Sequence, residues 1–259
     1  MPELNQQVLR RELEYHERLY SGFAQSHFAR PAVRALRQHM VERILRVTGI
    51  RPDSRVLSIG CGIGDTELLL APHVGEVVGI DLSPAAIRQA GEDAKRLGVS
   101  NAHFVNGTMA DVGSEPFDAA IAIFFLHHLS DSALAAFPVE IGAVIRDGGA
   151  FYSLDPSDQR LSGKVGRVLF PRLMKKYQTE DERELNPQRT ARLFEGSWQE
   201  VHSGVYDFGS SPLAGLLPGW RAGYRIARRI DDVLLASAML RRSGSNFEVI
   251  AKRPGRASR

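Results

Sequence analysis

Five short apolar runs alternate with helical segments through the middle of the chain: "RVLSI" (55–59), "EVVGI" (76–80), "AHFV" (102–105), "DAAIAI" (118–123) and "GAFYSL" (149–154). Most are too apolar to keep one face in water, as expected of strands buried on both sides of a parallel sheet. Strand–helix alternation of this kind predicts an α/β, Rossmann-like, doubly wound sheet. One intervening helix has both ends marked: in "SPAAIRQAGEDAKRLG", Ser83 is an N-cap, Pro84 takes the first helical position and Gly98 is the stop. Upstream, "PAVRALRQHMVERILRV" opens with Pro31 and sets Val33, Leu36, Met40, Ile44 and Val47 on one helical stripe. Residues 1–50 therefore read as a helical lid and 51–259 as the main domain. After Pro156 the alternation fades. "WQEVHSGVYDF" (198–208) and "SNFEVIAK" (245–252) read as two more strands, preceded by insertions at about 157–197 and 209–244.

With 259 residues, 43% of them hydrophobic, the chain can bury a full core. Its longest apolar run, "AAIAIFFL" (119–126), falls far short of the roughly 20 residues that span a bilayer. Without a signal-like start, the expected location is the cytoplasm, including its face of the inner membrane. A single cysteine, Cys61, excludes internal disulfides and Cys-based zinc frameworks. Charge divides unevenly: residues 1–156 carry 14 Lys/Arg against 19 Asp/Glu, and residues 157–259 carry 19 against 11. The basic C-terminal portion suits either an anionic partner or a solvated helical face.

"VLSIGCGIGD" (56–65) puts Gly60, Gly62 and Gly64 straight after the first strand. Glycine permits positive φ in a sharp turn and lets a ligand approach the backbone. Exposed amides at the start of a helix near Asp65 would favour polar or anionic groups. The dinucleotide fingerprint needs a third glycine where Asp65 stands, so a pyrophosphate is disfavoured. At the end of the second strand Asp81, in "GIDLS", can accept hydrogen bonds from two ribose hydroxyls.

In "VLSIGCGIG", "VVGIDLS", "FVNGTMADV", "FDAAIAIFFLHHL" and "IRDGGAFYSLDP" the sequence resembles the class I S-adenosylmethionine-dependent methyltransferases. The likeness is to the group of quinone-biosynthesis C-methyltransferases and small-molecule enzymes, and covers about residues 50–156. It implies a seven-stranded sheet with the last strand antiparallel, S-adenosyl-L-methionine as cofactor and S-adenosyl-L-homocysteine as product. It further implies that Gly60, Cys61, Gly62 and Gly64 line the methionine and ribose portion, that Asp81 holds the ribose, and that Leu82 packs beside the adenine. Met109 and Ile123 join that cofactor site, and Tyr15, His16 and Tyr20 would form a lid over it. Two positions depart from the family. Ser58 stands where an acid usually helps hold the methionine ammonium, and an uncharged hydroxyl gives a weaker interaction. Thr108 replaces the acid that bonds the adenine amino group, with Asp111 either substituting for it or capping a turn.

Methyl transfer from a sulfonium needs alignment, and a base only when the nucleophile is protonated. Candidate catalytic residues are His127 and His128 after the fourth strand and Asp155 at the end of the fifth. Neighbours on a helix diverge by about 100°, so at most one of the two histidines is expected to face the pocket. "AIFFLHHL" lacks the motif of base-methylating enzymes, and neither an RNA-binding module nor a metal-ligand pattern is present. The expected partner is a small, apolar or lipid-like acceptor rather than nucleic acid, and no metal is predicted. "KVGRVLFPRLMKKY" (164–177) and "SPLAGLLPGWRAGYRIARRIDDVLLASAMLRR" (211–242) mix bulky apolar residues with Arg and Lys. Such helices either cover the sheet and build an apolar pocket or rest on an anionic membrane. Two other functions fit parts of the pattern: a catalytically degenerate methyltransferase fold acting as a binding or regulatory protein, and a nucleotide-dependent oxidoreductase.

Overall fold

The computed structural model describes residues 29–160, 184–237 and 243–255. Tyr15, His16 and Tyr20, and the segment 164–177, lie outside these residues. Seven strands form one sheet: β1 (Arg55–Ile59), β2 (Glu76–Asp81), β3 (Ala102–Asn106), β4 (Phe117–Ile123), β5 (Ile145–Pro156), β6 (Gln199–Asp207) and β7 (Asn246–Lys252). Their order is β3-β2-β1-β4-β5-β7-β6. β1 to β5 run parallel, and β7 runs antiparallel to both β5 and β6. The direction of winding reverses between β1 and β4, whose ends are level: Ile59 faces Ile80 on one side and Ala122 on the other. Ligands of doubly wound sheets bind beyond the strand ends at such a switch point.

Helices α1 (Pro31–Thr48), α2 (Glu67–Leu70), α3 (Pro84–Leu97), α4 (Asp131–Val144), α5 (Pro187–Phe194), α6 (Ser210–Leu216) and α7 (Arg221–Leu235) surround the sheet. The marked ends of α3 hold: Ser83 Oγ accepts from the Ala86 amide, Pro84 starts the helix and Gly98 ends it at φ 69°.

Each face of the sheet carries its own apolar layer. On one, Leu57, Phe117, Phe151 and Phe247 meet Phe137 of α4, Phe194 at the end of α5 and Trp198 just before β6. Phe151 and Phe194 stack at 5.0 Å. The Trp198 indole donates to the Pro138 carbonyl at 2.9 Å, so its polar edge is satisfied within the core. On the other face, Leu36, Met40 and Ile44 of α1 pack over Val56, Val77, Ile121 and Tyr152. Burying each such α1 side chain contributes about 1.5–3 kcal/mol, so α1 is a layer of the core. Within this layer Glu248 of β7 is buried but partnered, by Arg43 of α1 and by the Tyr152 hydroxyl at 3.1 Å.

The C-terminal helices fold back toward α1, whose Ala32 amide donates to the Pro218 carbonyl at 2.8 Å. Two buried carboxylates hold the start of α6. Asp207 accepts from the Ser211 amide at 2.7 Å, and Asp231 from the Gly209 and Ser210 amides at 3.0 and 2.9 Å. Helix α7 is turned against its hydropathy pattern. Tyr224 and Arg228 are buried, whereas Ile226 and Ile230 are each 55% exposed and Val233 is 73% exposed. Of the two expectations for this segment, covering the sheet is not met by Ile226, Ile230 and Val233, which face away from it. Polar anchoring fixes the rotation of the helix: Arg228 donates to the Tyr206 carbonyl at 3.1 Å, and Asp231 holds the start of α6.

Candidate active site

The glycine loop leaves β1 with Gly60, Gly62 and Gly64 at φ 67°, 53° and 73°, all left-handed. Positive φ is thus the requirement that the three glycines share. Two of them also meet rings of the chain itself: a Cβ at Gly60 would lie 2.5 Å from Phe125, and one at Gly64 would lie 2.6 Å from Phe104. The helix expected near Asp65 begins at Glu67 and is a single turn, so turns rather than a long helix present the loop amides. Asp81 braces this loop. Its Oδ2 accepts from the Gly62 amide at 2.9 Å and its Oδ1 from the Ser83 amide at 2.8 Å. Each oxygen retains capacity for a further donor.

Two cavities flank the loop. One, about 340 Å³, is bordered by Gly60, Asp81, Leu82, Thr108, Met109, Phe124, Phe125 and His128. The other, about 330 Å³, is bordered by Val33, Leu36, Arg37, Gly60, Cys61, Gly62, Glu67, Ile123, Phe124, His127, His128, Ser211 and Gly215. A larger surface hollow of about 670 Å³ between α1 and α3, lined by Arg34, Leu69 and Arg96 among others, contains none of the predicted residues. Phe124, which borders both loop cavities, has φ 56°. A bulky side chain in that region costs on the order of 1–3 kcal/mol and persists where its surroundings impose it.

Thr108 caps the short turn Met109–Asp111, and its amide donates to Asp111 Oδ2 at 2.8 Å. Asp111 is thereby occupied as a cap, and these bonds lower its carboxyl below the usual range. Ser58 borders neither cavity. It is buried, with its hydroxyl given to Glu67 Oε1 at 2.5 Å. Cys61 is buried too, and burial together with the charges of Glu67 and Asp81 pushes its thiol up, away from nucleophilic chemistry.

His127 and Asp155 come together from β4 and β5. Asp155 Oδ1 lies 3.0 Å from His127 Nδ1 and also accepts the His127 amide at 3.2 Å, with both residues buried. The His128 ring lies against that of His127, centroids 4.0 Å apart and tilted by 38°. Both histidines border the same cavity because Leu126–His128 is a single tight turn rather than α-helix, which corrects the expectation of one. Sequence reasoning missed Glu67, Arg37, Phe124 and Phe125. A glutamate opening the otherwise apolar "ELLL" was the available signal for the first of these.

The family model for a methyltransferase domain matches residues 56–149. An uncharacterized methyltransferase of Bacillus subtilis, YcgJ, is 31% identical over 130 residues, which is 48% of this chain and 51% of that protein. The 23S rRNA (uracil(1939)-C(5))-methyltransferase RlmD of Xanthomonas campestris is 40% identical over 70 residues, 27% of this chain and 16% of that enzyme. The chain thus spans about half the length of the first relative and a small part of the second. Among solved structures, YcgJ superposes with TM-score 0.53 at 20% identity over 85% of this chain and 99% of that one. A Haemonchus contortus phospholethanolamine N-methyltransferase 2 superposes with TM-score 0.58 at 16% identity over 83% of this chain and 52% of that one. At these identities the superpositions speak for the fold. Residues 56–149 thus match a methyltransferase domain, and the sheet order and glycine loop around them are those expected of the class I S-adenosylmethionine-dependent methyltransferase fold.

Proposed function

We propose that the chain methylates a small, largely apolar acceptor that carries an ionisable proton. The carrying observation is the His127–Asp155 pair at 3.0 Å beside a cavity walled by Val33, Leu36, Ile123 and Phe124. The cofactor, when bound, supplies an electrophilic methyl group. The residues present fit it: Asp81 keeps acceptor capacity for ribose hydroxyls, while Leu82 and Met109 offer apolar surface for the base. Asp155 holds the proton of His127 on Nδ1, leaving Nε2 as the acceptor for a proton from the nucleophile. Burial of the pair excludes water that would compete for that proton. Calorimetric titration with S-adenosylmethionine and S-adenosylhomocysteine tests the cofactor, and a methyl-transfer screen over lipophilic phenols, enols and amines tests the acceptor. Micromolar binding of both ligands is expected. No binding at millimolar ligand would overturn the proposal in favour of a degenerate binding protein.

Helix α7 supports a peripheral contact with anionic lipid as part of this reading. Ile226, Ile230 and Val233 project outward, and the exposed Arg221, Arg225 and Arg229 run along one side of that stripe. Co-sedimentation with phosphatidylglycerol vesicles at low salt is expected, and its loss on Ile230→Asp. Failure of the unaltered chain to sediment removes the membrane contact.

A further inference from the structure

Glu67 opens α2 and borders the same cavity as His127, yet it is only 2% exposed. Oε1 accepts the Ser58 hydroxyl. Oε2 is shut from solvent and has no hydrogen-bond partner among the described residues. A buried carboxylate oxygen in that condition is costly until a cationic donor reaches it. The surrounding groups are otherwise engaged. Arg37 of α1 places Nε 2.8 Å from Asp65 and Nη1 3.1 Å from Thr66. Ser58 of β1 is neutral, Asp65 bears the same sign, and the Cys61 thiol is kept protonated by burial. Across the cavity, His127 is held by Asp155, with the His128 ring tilted against it.

Resting on the cofactor reading above, we propose that Glu67 binds the α-ammonium of the cofactor's methionine half, supplying from α2 the charge that Ser58 cannot supply from β1. The cofactor has a second cation, its sulfonium, but that centre offers no N–H donor and loses its charge as the methyl group leaves. An anion set against the sulfonium would stabilise the ground state over the transition state. The ammonium keeps its charge and its donors throughout.

The same placement makes binding depend on pH. Burial, with Asp65 adding to it, pushes the Glu67 carboxyl up to about 7, against the lowering pull of the Ser58 hydroxyl and Arg37. The carboxylate that receives the ammonium is therefore depleted below that pH, and binding there releases a proton. Affinity should weaken about tenfold for each unit of pH below that value.

The test titrates the full chain and its Glu67→Gln variant with S-adenosylmethionine, S-adenosylhomocysteine and 5′-methylthioadenosine, which lacks the amino-acid end. The expected result is a loss of about 10- to 100-fold for the first two in the variant, with 5′-methylthioadenosine within twofold. The pH dependence should be present in the unaltered chain and absent in the variant. An equal loss for all three ligands would make Glu67 a structural residue, and a loss confined to S-adenosylmethionine would assign it to the sulfonium; either result overturns the inference. An unaltered chain whose affinity does not change with pH overturns it as well, a measurement that stands even if the variant fails to fold. Absence of binding by the unaltered chain to all three ligands would instead bring down the cofactor reading itself.

Discussion

Asp155→Asn lowers the rate of methyl transfer by about 10²- to 10⁴-fold while S-adenosylhomocysteine affinity stays within twofold. The asparagine oxygen can still accept from the His127 amide and ring, which Asp155 Oδ1 now receives at 3.2 and 3.0 Å, so the pair keeps its shape. What disappears is the negative charge that stabilises the imidazolium formed when Nε2 takes the acceptor's proton. If the amide instead turns its NH₂ toward the ring, the proton is driven onto Nε2 and the base is lost altogether. Asp155 borders neither cavity, so the cofactor should not sense the change. Single-turnover rates with an active acceptor, beside calorimetry for the product, separate the two effects. An unchanged rate would mean that the nucleophile arrives already deprotonated.

Asp81→Asn removes cofactor affinity by about 100- to 1000-fold, and does so for 5′-methylthioadenosine as much as for S-adenosylhomocysteine. Both carboxylate oxygens now accept backbone amides, from Gly62 and from Ser83. An asparagine turns one of these positions into a donor facing a donor. The loop is unfastened from β2 at the same moment that an acceptor for the ribose is lost. Equilibrium dialysis with the two nucleosides gives the answer, and undiminished affinity would place the ribose away from Asp81. The contrast with Glu67 is diagnostic, because the effect of the Asp81 change falls on the adenosine half common to both ligands.

Much of the architecture was written in local pattern. Apolar runs gave β1 to β4 to within a residue or so, and the Ser83, Pro84 and Gly98 signals gave both ends of α3, because caps and buried strands are decided by neighbours in sequence. β5 is longer than its apolar core, starting at Ile145 where "IRDGG" shows no alternation. The site was legible where one residue decides its own geometry, as with the left-handed glycines. It was not legible where two distant segments meet. His127 and Asp155 are separate candidates until β4 and β5 lie side by side, and the Ser58–Glu67 bond depends on where the single turn of α2 begins. The rotation of α7 escaped the pattern because the groups that set it, Arg228 and Asp231, are polar and buried.

Helix α1 touches three remote places through three side chains or amides. Ala32 is tied to Pro218 beside α7, Arg37 to Asp65 and Thr66 of the glycine loop, and Arg43 to Glu248 of β7. The acceptor-side segment and the cofactor loop therefore share one mechanical neighbour. For the history of such a chain, this restricts where new acceptor preferences can arise. Changes at the cavity-bordering Ser211 and Gly215 can reshape the pocket locally, whereas changes around Pro218 shift α1 and are transmitted to the loop that every acceptor depends on. Variation should accumulate at the former positions and be rare at the latter.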